Sequence, residues 1–219
     1  MARNVAVGAP ASPPSPGEAF RADRAKYYRI AYGTEDPPLG QRARLWLGHF
    51  GFHCVAVHRL GELCRSLEGR RPVVRLPCAL LFRALDLAVQ LVHHVAIEAQ
   101  VGPGFYIGHP SALYIGRTTI GRNFSVTHNV TIGIGHGAAA AGLPVIGDDV
   151  WVGTGSVLFG AIRVGDGATI SSGTILSRSV PAGALVGGNP GRVLQSGYDN
   201  RALFSATPEA GPPEARQNA

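Results

Sequence analysis

The sequence predicts a mainly β fold: a parallel β-helix of hexapeptide repeats, preceded by a short α-helical block. The first observation is a period. Aliphatic residues recur at every sixth position as Ile120, Val126 and Ile132, then as Ile146, Val152, Leu158, Val164, Ile170 and Leu176. A shorter run in the same rhythm, Val101, Ile107 and Leu113, precedes them. Neither a 3.6-residue helical period nor simple alternation yields a repeat of six. In a β-helix, six residues form one flat side and the aliphatic one points inward. The second observation is glycine, 30 of 219 residues and concentrated in the same region. Gly147, Gly153 and Gly165 each follow an inward residue, where a turn with positive φ is expected. Thirdly, Ser156, Ala168 and Thr174 fall four residues after theirs, where a narrow interior admits only small side chains. Unrelated strands of a β-sandwich would not hold one phase over six consecutive hexads.

The flanking segments follow from composition. Residues 1–25 are rich in Pro, Ala and Ser, lack the apolar core of a signal peptide, and read as a flexible tail. Residues 26–95 read as the helical block, 96–195 as the β-helix domain, and 196–219 as a second flexible tail. Within the block, one helical segment carries Leu45, Leu47, Phe50, Val55, Val57, Leu60 and Leu63, and Arg71-Pro72 ends it. A second covers residues 76–95. Arg83 and Asp86 near its centre would be costly in a bilayer, so it reads as a buried helix packed on its neighbour and on the β-helix. Peripheral contact with the inner face of a membrane is a secondary expectation. Three cysteines, Cys54, Cys64 and Cys78, give no disulfide framework and point to a reducing, cytoplasmic compartment. The formal charge is +6, but no basic run is interleaved with aromatics. Nucleic acid is therefore the weaker partner, and an anionic ligand or surface the better one.

Three hexads make one triangular coil, so equivalent positions recur about every 18 residues, and coils stack about 4.8 Å apart. The series is broken twice. One extra residue falls between Leu113 and Ile120, and fourteen residues instead of twelve separate Ile132 from Ile146. The second break carries GIGHGAAAAGLP and reads as a loop extruded from the coil, a natural place for function. His109 and His128 each stand two residues after an inward aliphatic and are nineteen apart, one coil plus the extra residue. Both imidazoles then emerge from one side on adjacent coils, about 5–7 Å apart. A lone surface histidine is ordinarily inert; two in one phase beside an unusual loop point to a site. Imidazole can take a proton from a hydroxyl near neutral pH. With His136 in the loop, three histidines could instead hold a metal, but no Cys or carboxylate cluster accompanies them and none is expected. His93 and His94 read as structural. Nucleotide-binding loops and nucleophile motifs are absent.

The segments GFYIGHPSALYIG, SVTHNVTIGIG, PVIGDDVWVGTGS and VPAGALVGGNPGRVL, in that order around the Gly-rich loop, resemble the hexapeptide acyltransferases, most nearly their serine-acetyltransferase-like branch. The resemblance covers about residues 76–194. It implies a left-handed β-helix, an exception to the right-handed crossover rule. It also implies a homotrimer and acetyl transfer from acetyl-CoA to an acceptor hydroxyl at a cleft between subunits. His109 falls on that family's catalytic histidine. Thr154 and Ser172 fall where small residues line the pantetheine channel. Gly187, Gly188, Asn189 and Pro190, with Arg192, match the closing motif over CoA, where a basic side chain meets phosphates. The chain departs from serine-specific members at Gly108, Gly142 and Leu143, where they carry an acid and an Arg-His pair. A zwitterionic amino acid needs such charges, and His128 matches relatives that acetylate sugars. The expected acceptor is therefore a sugar hydroxyl of a polysaccharide precursor, with L-serine as the alternative. A histidine-metal β-helix enzyme and a non-catalytic trimeric scaffold are the readings from other classes.

Overall fold

A computed structural model describes residues 14–67, 69, 72–135 and 141–204. Four helices come first: α1 (Pro16–Tyr32), α2 (Leu39–Gly48), α3 (Phe50–Ser66) and α4 (Pro72–His93). α1 begins inside the stretch that composition assigns to a tail. Its start is a capping box: the Glu18 amide donates to Ser15 Oγ, and the Ser15 amide donates to the Glu18 carboxylate. The single segment expected after residue 41 is divided at His49, which ends α2 and opens α3.

The solenoid follows, with three sides. One orders β1 (Val95–Ile97), β4 (Leu113–Ile115), β7 (Thr131–Gly133), β10 (Val157–Phe159) and β13 (Ile175–Leu176). The second orders β2 (Gln100–Val101), β5 (Thr119–Ile120), β8 (Val145–Ile146) and β11 (Arg163–Val164). The third runs β3 (Tyr106–Ile107), β6 (Ser125–Val126), β9 (Trp151–Val152), β12 (Thr169–Ile170) and β14 (Ala184–Gly187), and closes with the antiparallel β15 (Arg192–Ser196). The coil is a left-handed β-helix of the hexapeptide kind, and every aliphatic residue of the six-residue series is buried inside it. Ser156, Ala168 and Thr174 are buried as expected. Another interior column tapers in size along the axis, through Phe105, Phe124, Val150, Ala168 and Ala184. Ile132 and Ile146 lie on consecutive sides, so fourteen residues stand where the period needs six, and the whole excess falls between β7 and β8. Residues 136–140 of that loop, His136 among them, lie outside the described residues.

Gly147, Gly153 and Gly165 do not take the positive φ expected of them. They are required by the next coil. A Cβ on Gly147 would stand 2.2 Å from the Asp166 carboxylate, and one on Gly165 2.5 Å from the Ala182 nitrogen.

The helical block caps the open first coil. Strand β3 is an edge, and an unpaired edge leaves N–H and C=O groups without partners. Tyr27 fills this role at Ile107, accepting from its amide (2.9 Å) and donating to its carbonyl (3.1 Å). Asp23 accepts from the amides of Gly104 and Phe105, while Arg59 donates to Asp23 and to the carbonyls of Val101 and Gly102. Lys26 donates to the carbonyls of Gly104, Asn123 and Phe124 and lies 4.7 Å from the Phe204 ring centre. All four side chains are buried. Burial pushes the Lys26 ammonium well below its ordinary value, against the pull of Asp23 and Asp149.

Two further expectations are corrected. Phe204, in a short 3₁₀ turn (Arg201–Phe204), is buried edge-on to Trp151, so the chain past residue 196 packs rather than trails; residues 205–219 lie outside the described residues. Helix α4 has no buried residue: Phe82 packs on Gly61 and Val89 meets the core, while Val73, Leu76, Leu80, Leu87 and Leu91 are exposed. Among the described residues no helix is long and apolar enough to cross a membrane.

Cys64 and Cys78 form a disulfide between α3 and α4, contrary to the expectation of no disulfide framework. Their Cα atoms are 5.9 Å apart, a distance the docking of two helices sets and cysteine spacing does not. Cys54 is free and buried, and burial pushes its thiol up to about 12. The native protein should therefore show no rapidly titrating thiol, and one after unfolding without reductant. Three thiols in the unreduced, unfolded protein would contradict the bridge.

Candidate active site

The site is built from one position repeated on successive coils. Ile107, Val126, Val152, Ile170 and Val186 are register partners along the third side. Two residues beyond each stand His109, His128, Thr154, Ser172 and Gly188, one per coil along a single corner. At about 4.8 Å per coil the column is about 19 Å long. The sequence-predicted residues are thus brought together. His109 and His128 head the column, their ring centres 6.3 Å apart and their planes near perpendicular. Next comes Thr154, whose hydroxyl donates to Thr127 Oγ1 (3.0 Å). Ser172 is exposed beyond Gly153, where a Cβ would stand 2.7 Å from the Ser172 nitrogen; this keeps the corner low. At the far end Gly187 is buried, Gly188 takes φ of 95°, and a cis bond joins Asn189 to Pro190. Arg192, exposed, lies opposite Gly187 on β15.

His109 is exposed and holds φ of 54°, left-handed backbone uncommon outside glycine and found repeatedly at functional sites. His128 is partly buried, and its Nδ1 has no hydrogen-bond partner among the described residues. A buried nitrogen left without a partner is costly, and a ligand can relieve it. The backbone carbonyls of His93 and His94 accept from the amides of Ala112 and Leu113. No group of metal-ligand type is found among the described residues.

Both imidazoles face a cleft of about 630 Å³. Its other wall belongs to the helical block: Tyr27 of α1, and Gly48, His49, Phe50 and Gly51 where α2 meets α3. Tyr106, Ile107, Pro110 and Ser111 complete it, and among the described residues no Asp, Glu, Lys or Arg lines it. Tyr106 is half-buried and its hydroxyl is pushed up by burial. Gly108 packs under the Tyr106 ring. Gly142 and Leu143 do not line this cleft; Gly142 abuts Ala161 on another side of the coil. Sequence reasoning missed His49, Phe50 and Tyr27, which reach the cleft only through the docking of the helices. The GHFG segment, with no apolar residue between its glycines but Phe50, was the available sign of the junction.

No protein-family model matches the chain. A probable serine acetyltransferase of Oryza sativa subsp. japonica is 30% identical over 151 residues, 68% of this chain and 44% of that protein. The serine acetyltransferase of Helicobacter pylori is 28% identical over 137 residues, 53% of this chain and 75% of that one. The chain spans less than half the length of the rice relatives it matches. Among solved structures, soybean serine acetyltransferase complexed with serine superposes with a TM-score of 0.63 at 29% identity, over 84% of this chain and 71% of that one. The Brucella abortus enzyme in complex with coenzyme A gives 0.64 at 25% identity, over 82% and 68%. By fold and by sequence likeness, the chain is a hexapeptide-repeat left-handed β-helix protein related to the serine acetyltransferases.

Proposed function

We propose that the protein is an acetyl-CoA-dependent O-acetyltransferase working as a homotrimer. The observation that carries the reading is the column with two imidazoles at its head and small residues along its length. His109 takes the proton from the acceptor hydroxyl as that oxygen attacks the thioester carbonyl, and returns it to the departing CoA sulfur. Such general-base help is worth about 10²–10⁴-fold. His128, on the next coil, orients the acceptor or shares the proton transfer. Thr154 and Ser172 leave room for the pantetheine arm against the corner. Gly187, Gly188 and Asn189 close over the nucleotide end, and Arg192 meets its phosphates. The likeness to an enzyme solved in complex with coenzyme A supports CoA as the acyl carrier.

For the acceptor, L-serine is the reading that the relatives' names favour, and the soybean structure holds serine. A sugar hydroxyl is the second reading, favoured by a cleft wall without fixed charge among the described residues and by Gly108 before the base. Thiol release from acetyl-CoA, measured against L-serine and a panel of nucleotide- and lipid-linked sugars, separates them. Release with serine alone establishes the first; release with a sugar alone establishes the second. Silence with every acceptor, joined to failure to bind CoA, would leave a trimeric scaffold without turnover.

A further inference from the structure

We infer that α4 lies along the surface of an anionic phospholipid bilayer, with its apolar face sunk into the lipid and Arg65, Arg75 and Arg83 meeting the lipid phosphates. The inference stands independently of the acetyl-transfer reading. It begins with how polarity is arranged around the helix. The half-buried residues of α4, Cys78, Ala79, Phe82, Asp86, Val89 and His93, form one strip turned toward α3 and β1. Away from that strip stand Val73, Leu76, Leu80, Leu87, Leu91 and Val92, each 55–82% exposed. At about 100° per residue the exposed aliphatic residues cover about half the circumference. The charged residues of α4 are Arg75, Arg83 and Asp86, and none falls within that half. A contiguous apolar face of this breadth marks an interaction surface. A helix apolar on one side and basic along its flank is suited to lie in the plane of a membrane interface.

A second observation concerns charge. Arg65 of α3, with Arg75 and Arg83 of α4, lines a recess of about 400 Å³ over Gly61, Cys64, Ala79 and Phe82. Among the described residues no carboxylate lines this recess, and none of the three guanidinium groups has an ion pair or a hydrogen bond. Asp86, the acid of α4, accepts instead from the Gln90 side-chain amide (2.8 Å). Arginine stays charged at neutral pH, and its planar fork matches the oxygens of a phosphate. The Cys64–Cys78 bridge ties the two helices together beside the recess, so arginines from both are held on one site. Their long stems let the charged heads reach the lipid phosphates while the aliphatic face is in the acyl region.

Charge also selects the occupant. The chain carries 20 Lys and Arg against 14 Asp and Glu. A second copy seated on this face would bring the same arginines and, from its α4, no acid beyond Asp86. Like charges flanking a paired face repel, whereas an anionic lipid surface attracts them. The helix lies along the bilayer rather than across it: among the described residues none is long and apolar enough to span.

The test is co-sedimentation of the full chain with vesicles of phosphatidylcholine alone, and of phosphatidylcholine with about a quarter phosphatidylglycerol. Wild type should bind the anionic vesicles about tenfold or more tightly than the neutral ones, and less so as salt is raised. Leu80→Glu combined with Leu87→Glu should abolish binding to both, because carboxylates then enter the face that meets lipid. Arg75→Gln combined with Arg83→Gln should bring the two affinities together and leave the weaker, neutral binding in place. All four side chains are exposed, so both variants keep the wild-type Tm. Failure of wild type to bind the anionic vesicles, or equal binding to both compositions, would overturn the inference. Undiminished binding by the Leu80→Glu, Leu87→Glu variant would do the same. A lower particle mass for that variant in light scattering would also overturn it, and would make the face an interface between copies of the chain.

Discussion

His109→Ala is expected to lower turnover by more than about 100-fold while the affinity for CoA stays the same. The expectation rests on the separation of tasks along the column. Thr154, Ser172 and the Gly187–Gly188 end stand two or more coils from His109, so removing one imidazole leaves that stretch intact. The His109 side chain is exposed and fills no core space, which makes a folding defect an unconvincing cause of lost activity. Its backbone sits at φ of 54°, a region alanine tolerates poorly. His109→Asn is the control, since asparagine accepts that conformation but cannot act as a base near neutral pH. Both variants should be equally inactive. Unchanged turnover in either would remove the general-base assignment. His128→Ala should cost less, since in the proposed reading His109 takes the first proton.

The largest effect on stability is expected at Arg59. Its guanidinium is buried, contacts Asp23 at 2.7 Å, and closes two carbonyls of the first coil. Arg59→Met leaves a buried carboxylate with only backbone amides to hold it, and breaking such a pair costs about 3–5 kcal/mol. For a chain of this size that lowers Tm by roughly 10 °C. The dependence on pH has a definite sign. Burial pushes the Asp23 carboxyl up, opposed in wild type by Arg59 and the amides of Phe105 and Gly104. Without Arg59 the folded-state value rises further above the unfolded one. A raised carboxyl favours the fold while it is protonated, and that contribution is lost as pH rises through the folded value. The deficit of Arg59→Met relative to wild type should therefore shrink on acidification from pH 7 toward 5. Adding Asp23→Asn should recover part of the loss at pH 7. A deficit that is flat with pH would show that the carboxyl does not titrate in this range.

What was legible in the sequence was what repeats. The twelve aliphatic positions of the six-residue series needed only their phase to be placed inside, and the nineteen-residue spacing of His109 and His128 put both rings on one corner. Features that depend on how helices dock were not legible. Asp23 and Arg59 are 36 residues apart and carry no mark of partnership in composition. Cys64 and Cys78 meet because α4 folds back on α3, and His49 reaches the cleft because Gly51 lets α3 approach Ile107. The start of α1 was readable, since Ser15 and Glu18 form a capping box that the proline-rich surroundings obscured. The glycines after the inward residues were placed correctly for the wrong reason. Contact with the neighbouring coil, rather than backbone angle, demands them.

The column from His109 to Gly188 also acts as a ruler. Its two ends belong to a stiff rod, and their separation is counted in whole coils. Substitutions can alter the grip at either end, but none can lengthen the interval. Only the gain or loss of a full turn of about 18 residues would do so, in steps of about 4.8 Å. The reach between the imidazole pair and the Gly188 end is therefore a digital property of this chain, set by coil number.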